Sequence, residues 1–180
     1  MIHLSAYYPT RNEQKFPVDK KRYTRVVGNL LPTMLESIFT ELGFRVKTYY
    51  LQANGRDMEI FDGDTLVIAV EVLNWNIGSK LHPDRKSCII RNLNKYNCNR
   101  LLVHTVPLTR TDGLEQNRIV CLGIGYQVLP QEYYDFFLNK EEVRHRRPNS
   151  EHVRTEIKSK IIQYLYENYY GIRYLKDLFY

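Results

Sequence analysis

The sequence predicts an α/β fold, a mixed sheet sandwiched by helices with an aromatic-rich helical extension at the C-terminus. Three observations carry this. Apolar residues recur at helical spacing over 26–42. LVIAVEVL (66–73), RLLVHTVPL (100–108) and RIVCLGI (118–124) are short apolar runs, the pattern of strands covered on both faces. The segments alternate as helix, three strands, helix, strand, then further strand and helix, which builds one sheet with helices packed on it.

Asp19 is a candidate cap for the first helix, whose apolar positions are Val26, Val27, Leu30, Leu31, Met34, Leu35, Ile38, Phe39 and Leu42. Gly43 ends it. Pro32 falls inside the pattern, so the helix is either kinked there or split, with Pro32 opening the second piece. FRVKTYYLQ (44–52) has the β-branched and aromatic content of a strand, and a loop at Asn54-Gly55 follows. GRDMEIFDGDTLVIAVEVLNW (55–75) then reads as strand, tight turn and strand. A helix over about 83–97 presents Cys88, Ile89, Leu93 and Tyr96 as its apolar stripe. Two buried strands follow, separated by a polar, Gly-containing loop, and a short helix near 130–139 precedes a basic segment.

At the C-terminus Ser150 is a good N-cap. Ile157, Ile161 and Leu165, flanked by Ile162, Tyr166 and Tyr169, line one side of a helix that Gly171 stops. IRYLKDLFY (172–180 with Gly171 before it) adds a second aromatic piece. Such a helix is laid over the sheet, or it forms a homodimer interface, since Tyr and Phe are enriched in those patches. The chain is expected to form a single domain over 1–180, with its core at about 24–125 and the extension at about 150–180.

Composition narrows the function classes. A hydrophobic share of 43% and a charged share of 26% are those of an ordinary globular protein. There is no run of about 18 apolar residues and no apolar signal-peptide core near the N-terminus, so an intracellular, cytoplasmic protein without a membrane partner is expected. Cys88, Cys98 and Cys121 show no C-x-x-C spacing, which argues against a disulfide framework or zinc knuckle. The five histidines include no i, i+4 pair. No phosphate-binding loop or nucleophile elbow occurs, and the lone G-x-G of GIGY (123–126) is no dinucleotide fingerprint. A net charge of +6 favours a polyanionic partner, with basic runs at DKKRYTR (19–25), HPDRK (82–86) and VRHRRP (143–148).

The chemistry centres on the hairpin. Glu71 is a carboxylate inside an apolar strand, and Asp57 opens the strand before it. Burying an unpaired carboxylate costs several kcal/mol, roughly, even after relaxation, so a partner is expected. Whether the two meet depends on the turn. A two-residue Asp62-Gly63 turn sets Asp57 opposite Ile68 and sends Glu71 to the other face. A three-residue Asp62-Gly63-Asp64 loop sets Asp57 opposite Ala69, one pleat from Glu71 on the same face, and a bulge restores the same parity. Two converging carboxylates need a cation or a proton between them. Mg²⁺ suits them: it takes one or two carboxylates, keeps waters and draws further ligands from phosphates.

Gly43-Phe44, a strand, the run Arg-Asp-Met-Glu-Ile with Asp57, a hairpin and an apolar strand carrying Glu71 resemble the core of the PD-(D/E)XK nuclease superfamily. This is the restriction-endonuclease-like fold, which includes archaeal Holliday junction resolvases. The resemblance spans residues 24–106 in the same element order. It implies a metal-dependent DNA endonuclease that hydrolyses phosphodiester bonds of branched or duplex DNA, with Mg²⁺ or Mn²⁺ as cofactor and a homodimer as its assembly. Asp57, Glu71 and the backbone carbonyl of Val72 are then the metal ligands, and Glu36 on the first helix is a candidate fourth.

The chain departs from the motif in two places. Arg56 stands where the family has Pro, and the triplet Glu71-Val72-Leu73 ends in Leu where the family has its catalytic Lys. Lys80, Lys86 and Lys47 are candidates for a displaced cation, with Asn74 as a neutral substitute. Trp75 either caps the core or stacks a base. The alternatives to an enzyme are a catalytically inactive nucleic-acid-binding protein that keeps the fold, and an interaction protein whose Asp57 and Glu71 form ion pairs.

Overall fold

The apolar periodicity of the first segment closes into one continuous helix, α1 (Lys20–Glu41), with Pro32 inside it. Of the two arrangements open at Pro32, the split helix is therefore excluded. The C-terminus of α1 is a Schellman motif. Gly43 has φ 91°, its N–H bonds the Thr40 carbonyl at 3.0 Å, and the Phe44 N–H bonds the Phe39 carbonyl at 3.0 Å. Phe39 and Phe44 seal the motif edge to face, with ring centroids 6.1 Å apart. The structure, a computed structural model, describes residues 20–49, 57–75, 79–108, 112–129 and 150–171.

Five strands form one sheet in sequential order: β1 (Arg45–Thr48), β2 (Met58–Asp62), β3 (Thr65–Leu73), β4 (Asn99–His104) and β5 (Ile119–Gly123). β1–β2 and β2–β3 are antiparallel, whereas β3–β4 and β4–β5 are parallel. The parallel pairs need crossovers. These contain α2 (Pro83–Leu93) and α3 (Asp112–Gln116). α3 lies in the segment expected to be a plain polar loop; its one apolar side chain, Leu114, is fully buried and anchors it.

β3 is central and covered on both faces, as its apolar run requires. Ile68, Val70 and Val72 pack with α1 residues Leu31, Leu35, Ile38 and Phe39. Ala69 and Leu73 pack on the other face with Ile89 and Leu93 of α2 and with Leu102 and Leu114. α4 (Ser150–Leu165) joins the first of these layers through Val153, Ile157, Ile161, Tyr164 and Leu165. Arg154 ties it to α1 by a 2.6 Å ion pair with Glu41, which Lys158 also contacts.

The stripe expected on α4 is corrected at two positions: Ile162 is 46% and Tyr166 73% exposed. A π-helical turn over Tyr166–Tyr170 shifts the helical phase there. Tyr169 then turns inward, onto the Phe44 ring at 5.9 Å, with its hydroxyl 2.5 Å from Asp62 Oδ2. Gly171 does not act as a left-handed stop, since its φ of −58° and ψ of −39° are helical. No helix among the described residues is long and apolar enough to cross a membrane. The Asp19 cap, the Asn54-Gly55 loop, the helix near 130–139, the run VRHRRP, the side chains of DKKRYTR and the segment after Gly171 lie outside the described residues.

Candidate active site

The turn decides whether Asp57 and Glu71 can meet. Asp62 pairs with Thr65, so the loop is the two residues Gly63-Asp64, with Gly63 at φ 58°. That register alone would separate the carboxylates. A register shift at Ile60/Phe61 makes Val67 an extra residue on β3, and the pairing continues as Ile60↔Ile68, Glu59↔Ala69 and Met58↔Val70. The bulge, not a three-residue turn, restores the parity. Asp57 therefore arrives at the level of Glu71 on the sheet face that α2 covers.

Continuing the register one step past Met58↔Val70 sets Asp57 opposite Glu71, near enough for the Asp57 charge to act on the Glu71 carboxyl. Each carboxyl is held by a donor of its own. The Val72 N–H donates to Asp57 Oδ2 at 2.6 Å, and Asn92 Nδ2 donates to Glu71 Oε1 at 3.0 Å. The N–H and C=O of one residue leave an extended strand on the same edge, so the Val72 carbonyl also faces the Asp57 side. Arg85 Nη2 stands 3.5 Å from Glu71 Oε2. Glu71 is fully buried, whereas 36% of the Arg85 side chain is exposed.

Burial pushes the Glu71 carboxyl up to about 7; the Asp57 charge adds to the rise, while the Asn92 hydrogen bond and the Arg85 charge oppose it. Burial likewise raises the Asp57 carboxyl, against the pull of the Val72 N–H, the hydrogen bond with Glu71 and the Arg85 charge. A carboxyl poised near neutrality in a buried acidic pair is a signature of functional sites. Two carboxylates with one partly exposed guanidinium at 3.5 Å are under-compensated, and this donor set suits a hard divalent cation. Among the described residues no group of three or more His, Cys, Asp or Glu is placed to hold a metal. An ion on this pair would complete its shell with the Val72 carbonyl, water and substrate oxygens.

The remaining sequence candidates lie elsewhere. Asn74 is buried on the opposite face from Glu71 and clamps the core: its Nδ2 donates to the carbonyls of Val27 at 2.6 Å and Val128 at 2.8 Å, and its Oδ1 accepts the Val128 N–H at 2.9 Å. With that capacity spent it is a structural residue, not a substitute for the lysine. Glu36 rides on α1, which covers the face of the sheet opposite Glu71, so it does not join the pair. Lys80 is exposed before α2, with no contact to either carboxyl. Lys86 packs along Gly113 of α3, and Lys47 lies over the Tyr49 ring at 5.1 Å. Leu73, at the motif position of the lysine, is sealed under α2 among apolar side chains. Trp75 is half-buried and packs against the same layer, and its backbone N–H donates to Thr105 Oγ1 at 2.8 Å.

Arg85 and Asn92 were not among the sequence candidates. The signal was present in α2: positions 85, 88 and 92 share one helical face. Asn92 falls between Ile89 and Leu93, a polar residue inside the buried arc. All three cysteines are free; burial raises the Cys98 thiol and pushes Cys121 up to about 11, so these two are inert.

No protein-family model matches the chain, and no curated protein does. The fold is α/β with a five-stranded mixed sheet.

Proposed function

We propose that the chain is a divalent-metal-dependent endonuclease of the restriction-endonuclease-like fold, hydrolysing phosphodiester bonds in DNA. The observation that supports this best is the convergence of Asp57 and Glu71 at one level of the sheet, brought there by a bulge and anchored by the Val72 N–H and Asn92. A buried, under-compensated acidic pair costs the fold stability, an arrangement that points to chemistry rather than to packing. Asp57, Glu71 and the Val72 carbonyl would hold Mg²⁺ or Mn²⁺. When bound, such an ion would lower the pKa of a coordinated water and offset charge on a phosphate.

The chain's own residues provide positioning. Asn92 fixes the rotamer of Glu71 from inside the core, and the Val72 N–H fixes Asp57, so both oxygens are preorganised. The substrate class rests on the net charge of +6 and on exposed Lys47 and Arg45 of β1, two and four residues before Tyr49, whose N–H bonds the Asp57 carbonyl at 2.7 Å. Through Lys47↔Glu59 and Arg45↔Phe61 they share the sheet face of Asp57. Arg45 lies 4.0 Å over the Phe61 ring, giving a basic, aromatic approach to the site.

The test is cleavage of branched, single-stranded and duplex DNA with Mg²⁺ or Mn²⁺, alongside Asp57→Ala and Glu71→Ala. Metal-dependent cleavage lost in both variants is expected. The buried Leu73 favours one alternative, a nucleic-acid-binding protein that keeps the fold without catalysis. DNA binding with no cleavage of any substrate would establish that reading instead.

A further inference from the structure

The endonuclease reading leaves the role of the missing lysine without a residue, and the inference here rests on that reading. We propose that Arg85 binds the phosphate under attack and stabilises the charge that develops on it, in place of the lysine absent at Leu73.

The strand position is closed to a cation. Leu73 is 1% exposed beneath Ile89 and Leu93, so a charge there would be buried in an apolar layer. Lys47 on β1 is engaged over the Tyr49 ring, and the cation that reaches the pair is on the helix covering it, α2, where Arg85 Nη2 stands 3.5 Å from Glu71 Oε2. Arg85 sits in the first turns of α2 and is the cationic side chain whose charge acts on both Asp57 and Glu71.

Its engagement is weak enough to leave it available. Charge-assisted N–H to carboxylate bonds are about 2.7–2.9 Å long. Arg85 stands 3.5 Å from Glu71 Oε2, and its Nη1 lies 4.0 Å from Cys88 Sγ. Neither carboxyl depends on it for position, because Asn92 holds Glu71 and the Val72 N–H holds Asp57. A guanidinium with most of its five donors uncommitted, on a side chain about one-third open to solvent and beside the acidic pair, is a phosphate fork. Its place near the N-terminal end of α2 adds the favourable end of the helix dipole.

The experiment compares wild type, Arg85→Met and Arg85→Lys in single-turnover cleavage with Mn²⁺, in Mn²⁺ affinity by electron paramagnetic resonance, and in DNA affinity across a salt series. Thermal melting checks that the variants fold. Arg85→Met is expected to slow cleavage by about 10²–10³-fold, the cost of removing one donor to a developing oxyanion. Arg85→Lys is expected to recover at least about tenfold of that, while Mn²⁺ affinity changes less than about threefold in either variant.

Loss of Mn²⁺ affinity in step with rate would overturn the proposal, because Arg85 would then serve only to hold the acids. So would cleavage by Arg85→Met within about threefold of wild type. If the wild type binds DNA and cleaves nothing, the endonuclease reading fails by itself. The phosphate contact is then read from the salt series, where Arg85→Met should lower the slope of log K on log salt by about one. An unchanged slope overturns it.

Discussion

Glu71→Gln should stabilise the protein above neutral pH and hardly at all in acid. Glu71 is fully buried, and burial with the Asp57 charge beside it raises its carboxyl from 4.5 to about 7. Between those values the folded protein keeps the proton that the unfolded chain has released. The unfolded state then binds fewer protons, and stability falls as pH rises. At about 1.4 kcal/mol per pH unit the loss reaches about 3 kcal/mol by pH 7 and stays there above it; below pH 4.5 it is absent. Gln keeps a carbonyl oxygen for the Asn92 amide and carries no charge, so the variant escapes the penalty. For a chain of this size about 3 kcal/mol corresponds to roughly 6–12 °C in melting temperature. Urea and thermal denaturation in chelator at pH 5 and pH 8 measure it. Equal stability of the two proteins at pH 8, or the same gain at both pH values, would refute the reasoning.

Three further outcomes are expected. Mg²⁺ or Mn²⁺ at about 100 times its dissociation constant should raise the stability of the wild type at pH 8 by roughly 3 kcal/mol and leave Glu71→Gln nearly unmoved in the same denaturation assay. Asn74→Ala strips partners from the buried Val27 and Val128 carbonyls and the Val128 N–H; it should cost roughly 2–4 kcal/mol in urea denaturation while Mn²⁺ affinity by titration calorimetry stays within about threefold. Arg45→Ala combined with Lys47→Ala should reduce the salt slope of DNA binding by about 1–2, measured by fluorescence anisotropy, without altering Mn²⁺ affinity.

Much of the scaffold was legible because its signals are local. The apolar run 66–73 identified β3 as a strand covered on both faces, and Gly43-Phe44 marked the helix end that the Schellman motif now explains. The acidic pair was legible as a question, since an apolar strand holding Glu71 demands a partner. What escaped depends on distance in sequence. The two-residue turn and the bulge at Val67 each shift parity by one, and only their sum places Asp57 beside Glu71. Asn74 looked like a polar residue next to a catalytic strand, yet its partners are 47 and 54 residues away. Glu36 was plausible until α1 proved to cover the other face.

The position of α2 links the apolar residue at 73 with the guanidinium beside Glu71. Once a helix packs Ile89 and Leu93 onto the face that carries Glu71, the residue two along the strand must be apolar, and Leu73 fills that place. The same packing brings positions 85 and 92 over Glu71, because they lie two turns apart on one helical face. Asn92, inside the layer, supplies the neutral donor that a buried carboxylate needs; Arg85, at the rim, supplies the charge. The apolar residue at 73 and the guanidinium at 85 are therefore consequences of one packing choice. A Leu73→Lys substitution meant to restore the motif would place an ammonium under α2 and destabilise the fold by several kcal/mol, roughly. Rebuilding the motif on β3 would thus require moving α2, and with it the two residues that now attend Glu71.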